Sequence, residues 1–243
     1  MPDDKSISPN GLMNEGITST QMGLPGRPEI AEEIAVAANV KLAAYAESNL
    51  HLTGISTEGS IKLVKEARQK KVAVTCSVTP YNLIFCDEDI TTYDSNLKVN
   101  PPLRSKKDRK ALQKAVAEGF IDCIASHHIP QDKDHKVVEF EYAKNGMISL
   151  QASYAAVNTC LPEISQERWV ELLAINARRI LNIPVPTIAE GNEASLTLFL
   201  PKQEWVLELK DIVSKSKNTP LTGHKFTGKP LGIYHKSRLT LNN

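Results

Sequence analysis

Two adjacent imidazoles, His127 and His128, follow the short run Ile121-Asp122-Cys123-Ile124-Ala125 and Ser126, with Pro130 just beyond. Imidazole titrates near neutrality and is a common ligand for zinc-like metals, so this pair is the first candidate for base or ligand chemistry. The run before it is rich in β-branched Ile, long enough for one buried strand and too short for a helix. Titratable side chains at the C-terminal end of a buried strand are where a (β/α) barrel keeps its chemistry. The same pair also fits a plain strand end whose rings face solvent or a backbone carbonyl. Lys98 and Arg104 flank Asn100-Pro101-Pro102 and fit either a carboxylate-binding loop or solvent-facing charges. His135 lies in a charged loop, where a solvated role is expected.

The elements that position these residues are legible from periodicity and caps. Ile30, Ile34, Ala38 and Leu42 recur at helical spacing, predicting an amphipathic helix over Pro28–Ser48 with Pro28 as its first residue. Leu50–Ser56 predicts a strand and turn. Ser56 or Thr57 then caps a helix running to Lys71, with Ile61, Val64 and Arg68 on one side. Val72–Cys76 reads as the next strand and Asp87–Pro102 as a long connection, extended before its prolines. Ser105 caps a helix carrying Ala111, Leu112, Ala115 and Val116. Strand, helix, strand, helix, strand is the rhythm of a parallel α/β sheet. Helices are expected at Met147–Thr159 and Gln166–Leu181. Residues 1–24 show no periodicity and read as a loop. Strands at Ser195–Leu200 and Trp205–Leu209 make residues 185–243 a small β appendage to a domain of residues 1–184.

Composition narrows the function classes. The 243 residues carry 29 basic and 28 acidic side chains, a formal +1, so no broad field recruits nucleic acid or an anionic membrane. No apolar run approaches the roughly 20 residues needed to span a bilayer, and the first residues carry no apolar leader, so the cytoplasm is the expected compartment. Cys76, Cys86, Cys123 and Cys160 are scattered and read as reduced core thiols.

Several motifs together resemble one family. Gly23-Leu24-Pro25-Gly26, Ile55-Ser56-Thr57 with Gly59-Ser60, Val78-Thr79-Pro80, Lys98 to Arg104, and Ile121-Asp122 through His128 and Pro130 are similar, in order and spacing, to the dihydroorotases of the amidohydrolase superfamily. Ser216 to Pro220 and Gly228-Lys229-Pro230 match that family's C-terminal β region. The resemblance implies a metal-dependent barrel that opens and closes a cyclic amide, dihydroorotate and carbamoyl aspartate, in pyrimidine biosynthesis, with zinc lowering the pKa of bound water. It implies that this chain corresponds to the sixth, seventh and eighth strands of a (β/α)8 barrel plus a small β region.

The comparison also implies departures. The family's His before the Ser-Thr motif falls on Gly54, its metal-binding and base Asp on His127, and its substrate-contacting His on Gln131. Asn100 keeps a substrate-contacting position, with Arg104 beside it. His127 and His128 are then the only imidazoles near the expected metal, and no His-x-His pair occurs. The resemblance therefore leaves two readings. One is a dihydroorotase-like hydrolase that is inactive or incomplete in this chain. The other is a noncatalytic homologue, a pseudoenzyme, serving as partner of aspartate transcarbamoylase or assembling with copies of itself.

Overall fold

The computed structural model describes residues 1–242. Met13–Asn14 (β1) and Gly26–Arg27 (β2) pair in parallel, and Ile17–Met22 (α1) lies between them. The loop expected over residues 1–24 is thus partly regular. Met13, Asn14 and Met22 are buried there, so tertiary contacts order a segment too short to show a period.

Glu29–Tyr45 (α2) is helical, with Pro28 one position earlier than expected, as the extended N-cap. Its inward face is Ala31, Glu32, Val36 and Ala43. The stripe read as its buried face points outward: Ile30 is 48% exposed, Ile34 43% and Leu42 64%. Residues two apart sit about 200° apart around a helix, so turning Glu32 inward sends Ile30 and Ile34 out.

Leu50–Leu52 (β3), Glu58–Gln69 (α3), Val74–Val78 (β4), Pro80–Ile84 (α4), Lys106–Ala117 (α5) and Cys123–Ile124 (β5) follow the expected alternation. The strands form one parallel sheet in the order β3-β4-β5, with Leu52 opposite Cys76 and Val78 opposite Ile124. Both long helices start on the hydroxyls expected to cap them. Thr57 Oγ1 accepts from Ser60 N at 3.0 Å and Ser105 Oγ from Asp108 N at 3.2 Å. Ile61 and Val64 of α3, Leu112 and Val116 of α5, and the sheet residues Leu52, Cys76 and Val78 share one buried cluster. Among the described residues the three strands form an open sheet and no closed barrel.

The helix expected from Met147 starts later, at Ser153–Cys160 (α6) after a tight turn at Leu150–Ala152. The backbone before it is taken: Met147 bridges to His128, and Ile148 N donates to the Asn218 carbonyl. Gln166–Val170 (α7) and Asn176–Ile180 (α8) are joined by a wider π turn at Glu171–Ile175, with Trp169 and Leu172 buried. Ser195–Val206 (β6), Lys225–His235 (β7) and Arg238–Leu241 (β8) make an antiparallel sheet. The two strands expected in 195–209 are one strand with a register break between Leu200 and Glu204, and Leu209 falls in a turn. Leu207, Ile212, Leu221 and Phe226 bury themselves with Met147 and Ala155. No helix among the described residues is long and apolar enough to cross a membrane.

Candidate functional site

Parallel pairing brings the C-terminal ends of β3, β4 and β5 to one mouth. Thr53 and Gly54 follow β3, Ser77 lies near the end of β4, and His127 comes three residues after β5. The ladder runs on beyond the strands, with Ile55 N donating to the Ser77 carbonyl at 3.0 Å and Ala125 N to that of Val78 at 2.9 Å. His127 then turns the chain with φ at 42°, in the left-handed region.

Three side chains meet there. His127 Nε2 lies 3.0 Å from Thr53 Oγ1, Ser77 Oγ donates to Thr53 Oγ1 at 3.1 Å, and Gly54 N donates to Ser77 Oγ at 3.3 Å. The Tyr81 ring meets the imidazole edge-on, centroids 6.5 Å apart. Burial pushes His127 below the ordinary imidazole pKa, against an opposing hydrogen bond to the Asn100 backbone. Gly54 has φ at +69°, and a Cβ on it would sit 2.6 Å from His127 Cε1. The ring of His127 stands in the space a side chain at 54 would need.

His128 goes elsewhere. Its Nδ1 accepts from Ser149 N and Leu150 N, both at 3.2 Å, which places the ring proton on Nε2. It lines a cavity of about 290 Å³ walled by Ile148, Leu150, Leu207, Ile212 and Val213. The structure therefore separates the adjacent pair into two different surroundings.

Among the other candidates, the Asn100 carbonyl accepts from Tyr81 Oη at 3.1 Å, at the same mouth. Gln131 is held away from His127 by its Nε2 on the Asn145 carbonyl (3.0 Å) and its backbone N on Asn218 Oδ1 (3.1 Å). Arg104 and Lys98 correct the solvent-facing alternative, for both are buried, 3% and 5% exposed. Arg104 donates to Ser56 Oγ, Asn14 Oδ1 and the Arg27 carbonyl, with Glu32 Oε2 at 3.7 Å. Lys98 Nζ donates to the carbonyls of Phe140 and Glu141. His51 pairs with Thr75 at 2.9 Å, and His135 sits beside Asp132 in an exposed loop.

A catalytic zinc takes three protein ligands beside water. Among the described residues no group of three or more His, Cys, Asp or Glu is placed to hold a metal ion. Gly54 offers nothing, His127 Nε2 is engaged with a hydroxyl, and His128 Nδ1 accepts two backbone N–H groups. Burial pushes the Cys76 thiol up to about 12, far from a thiolate ligand. The residues present do not fit the metal centre that the resemblance implies.

Sequence reasoning met Tyr81 only where the family often has a His, and passed over Thr53, which meets His127, and Ser77, which meets Thr53. These two hydroxyls belong to a turn and a strand, and only sheet register brings them together. It also passed over Glu32 as an anchor, since an acidic residue in a first helical turn already has a dipole rationale.

The amidohydrolase family profile matches residues 14–236. The chain is 40% identical over 220 residues to a protein of Geotalea daltonii named dihydroorotase, covering 90% of this chain and 52% of that one. A dihydroorotase of Syntrophus aciditrophicus is 36% identical over 239 residues, 98% of this chain and 56% of its own. The chain thus spans about half the length of the curated relatives it matches. Among solved structures, the L-hydantoinase (dihydropyrimidinase) of Arthrobacter aurescens superposes with a TM-score of 0.83 at 22% identity, over 89% of this chain and 50% of that one. The inactive dihydroorotase-like domain of a Chaetomium thermophilum CAD-like multifunctional protein superposes at 0.66 with 16% identity, over 86% and 56%. These two establish a TIM-barrel-related α/β fold. On its matched length and its sequence relatives, the chain is a dihydroorotase-type member of the amidohydrolase family.

Proposed function

We propose that this chain belongs to the pyrimidine-biosynthesis lineage of cyclic amidohydrolases and that, as it stands, it does not run the metal-dependent reaction. The observation that supports this is the mouth at Gly54 and His127, where Gly54 offers no side-chain ligand, His127 is engaged with a hydroxyl, and no group of three His, Cys, Asp or Glu among the described residues is placed to hold a metal. In this reading β3, β4 and β5 are the sixth to eighth barrel strands, residues 1–184 are part of the barrel, and residues 185–243 are its small C-terminal β region. The ligand class is dihydroorotate or carbamoyl aspartate. Asn100 would face it, and Arg104 would act from behind through Ser56, whereas Gln131, turned to Asn145, would not. The role is that of a noncatalytic partner in a pyrimidine-pathway assembly, with aspartate transcarbamoylase as the partner to test. A domain described as inactive and dihydroorotase-like has the same fold, which gives the role a structural parallel.

The test is zinc content together with dihydroorotate hydrolysis, followed by co-purification with aspartate transcarbamoylase. Zinc well below one equivalent, no turnover above background, and a retained transcarbamoylase are expected. One equivalent of zinc with turnover that a chelator abolishes overturns the proposal and returns the chain to the catalytic dihydroorotases.

A further inference from the structure

We infer that the cavity beside His128 is a ligand site for a small, uncharged, mostly apolar ring bearing one carbonyl. Its residues are not those of the mouth at Gly54, and it stands whether or not that mouth holds a metal.

The His128 ring is fixed by groups that act in one sense only. Ser149 N and Leu150 N are backbone donors, each 3.2 Å from Nδ1, so Nδ1 is the bare nitrogen and the hydrogen is on Nε2. Among the described residues nothing accepts that hydrogen. The backbone around the ring is pinned as well. His128 bridges to Met147, Ile129 N donates to the Met147 carbonyl at 3.0 Å, and Ser149 Oγ donates to the Ser126 carbonyl. The rest of the wall is apolar or already bonded. Ile148, Ala152, Leu207 and Ile212 are buried, whereas Leu150 and Val213 leave 63% and 84% of their surface open. Gln151 Nε2 donates to the Asp211 carbonyl at 2.6 Å, and its Oε1 accepts from Val213 N at 2.9 Å. Thr219 Oγ1 accepts from Leu221 N, and Asn242, itself exposed, donates to the Pro230 carbonyl. Ser214 adds a hydroxyl that turns freely. Among the half-buried groups this leaves the His128 N–H as the donor of fixed direction. No Asp, Glu, Lys or Arg lines the cavity, so nothing there offsets the desolvation of a charge. A carboxylate such as dihydroorotate is therefore the wrong ligand, and a carbonyl on an apolar ring is the right one.

At about 290 Å³ the cavity is at the small end of ligand sites, which run roughly 300–1,000 Å³, and has room for one compact ring. Its walls come from the connection between β5 and α6 and from the tail segment at Leu207–Val213, so an occupant holds the tail on that connection. The experiment titrates acetophenone, ethylbenzene and benzoate into the full chain at pH 8, reading the ¹³C methyl signals of Ile148, Leu207 and Ile212. The three probes share a ring and differ in acceptor and charge. Acetophenone is expected to shift those methyls saturably and to raise the Tm, and benzoate to do neither. His128→Asn keeps an acceptor for the two backbone N–H groups and deletes the Nε2–H. It should weaken acetophenone about three- to tenfold and leave ethylbenzene within about twofold. No saturable shift with acetophenone, benzoate binding as tightly, or equal losses of both neutral probes in His128→Asn overturn the inference. If His128→Asn does not fold, the wild-type ring decides by ¹⁵N NMR. An Nε2–H signal moved by acetophenone and not by ethylbenzene is expected. An Nδ1–H tautomer, or a signal indifferent to acetophenone, overturns it. Zinc content and turnover report on the mouth alone, so this site and the proposed function fail separately.

Discussion

At the scale of single residues, Glu32 is a buried anchor whose loss is costly. It is 1% exposed and accepts from Ser56 N (2.7 Å), Thr57 N (3.2 Å) and Ser60 Oγ (2.7 Å), while Arg104 lies 3.7 Å away. Glu32→Ala strands a buried guanidinium and strips the start of α3 of its acceptor. Urea denaturation should show a loss of about 3–5 kcal/mol. A second residue-scale effect is pH dependence. Burial first, and the adjacent Asp108 carboxylate next, raise Glu29 from 4.5 to about 7. A carboxyl with a raised folded pKa adds stability that is fully present below its unfolded pKa and is lost as pH rises through the folded one. This contribution therefore declines between pH 4.5 and about 7, and Glu29→Gln should flatten that slope in melts across the range. Burial lowers both His127 and His51, so their contributions have the opposite sign and are lost as pH falls below the ordinary 6.5.

At the scale of elements, caps and helix phase were not equally legible. A cap is local, because Thr57 and Ser105 bond N–H groups three residues ahead. Thr57→Ala should therefore cost about 1 kcal/mol by chemical denaturation. The phase of α2 is not local. Its apolar period pointed to Ile30, Ile34 and Leu42, but the interior required an acceptor at Glu32 for the Ser56–Ser60 segment and turned that stripe outward. Ile34→Lys and Leu42→Glu should accordingly change stability by no more than about 0.5 kcal/mol, as surface substitutions do. Val36→Ala, on the buried face, should cost about 1–3 kcal/mol through lost packing in the same assay.

At the scale of the whole molecule, Asn218 ties the tail to the loop that carries Gln131. It is 5% exposed, its Oδ1 accepts from Gln131 N, and its Nδ2 donates to the Ile129 and Gly146 carbonyls, each at 3.1 Å. Asn218→Ala leaves the Gln131 N–H and the Ile129 carbonyl without their partner, while the Gly146 carbonyl keeps Lys136 Nζ. It should lower stability by about 2–3 kcal/mol and speed proteolysis between residues 128 and 146, as read by mass spectrometry of early fragments. Asn158 makes a similar tie, donating to the Pro201 and Thr227 carbonyls.

The sequence by itself determined the strand–helix alternation, the capped starts of α3 and α5, and the likeness to dihydroorotases, including Gly54, His127 and Gln131 at altered positions. All of these depend on residue type and on spacings of a few residues. Only the tertiary structure decided that His127 and His128 part company, that Arg104 and Lys98 turn inward, and that the ring of His127 fills the space at Gly54. The residues that settle those questions are 21 to 90 positions apart in the chain and meet only through sheet register and loop closure. Side-chain direction at a strand end depends on which hydroxyl or carbonyl the neighbouring strand presents, and no local period encodes that choice.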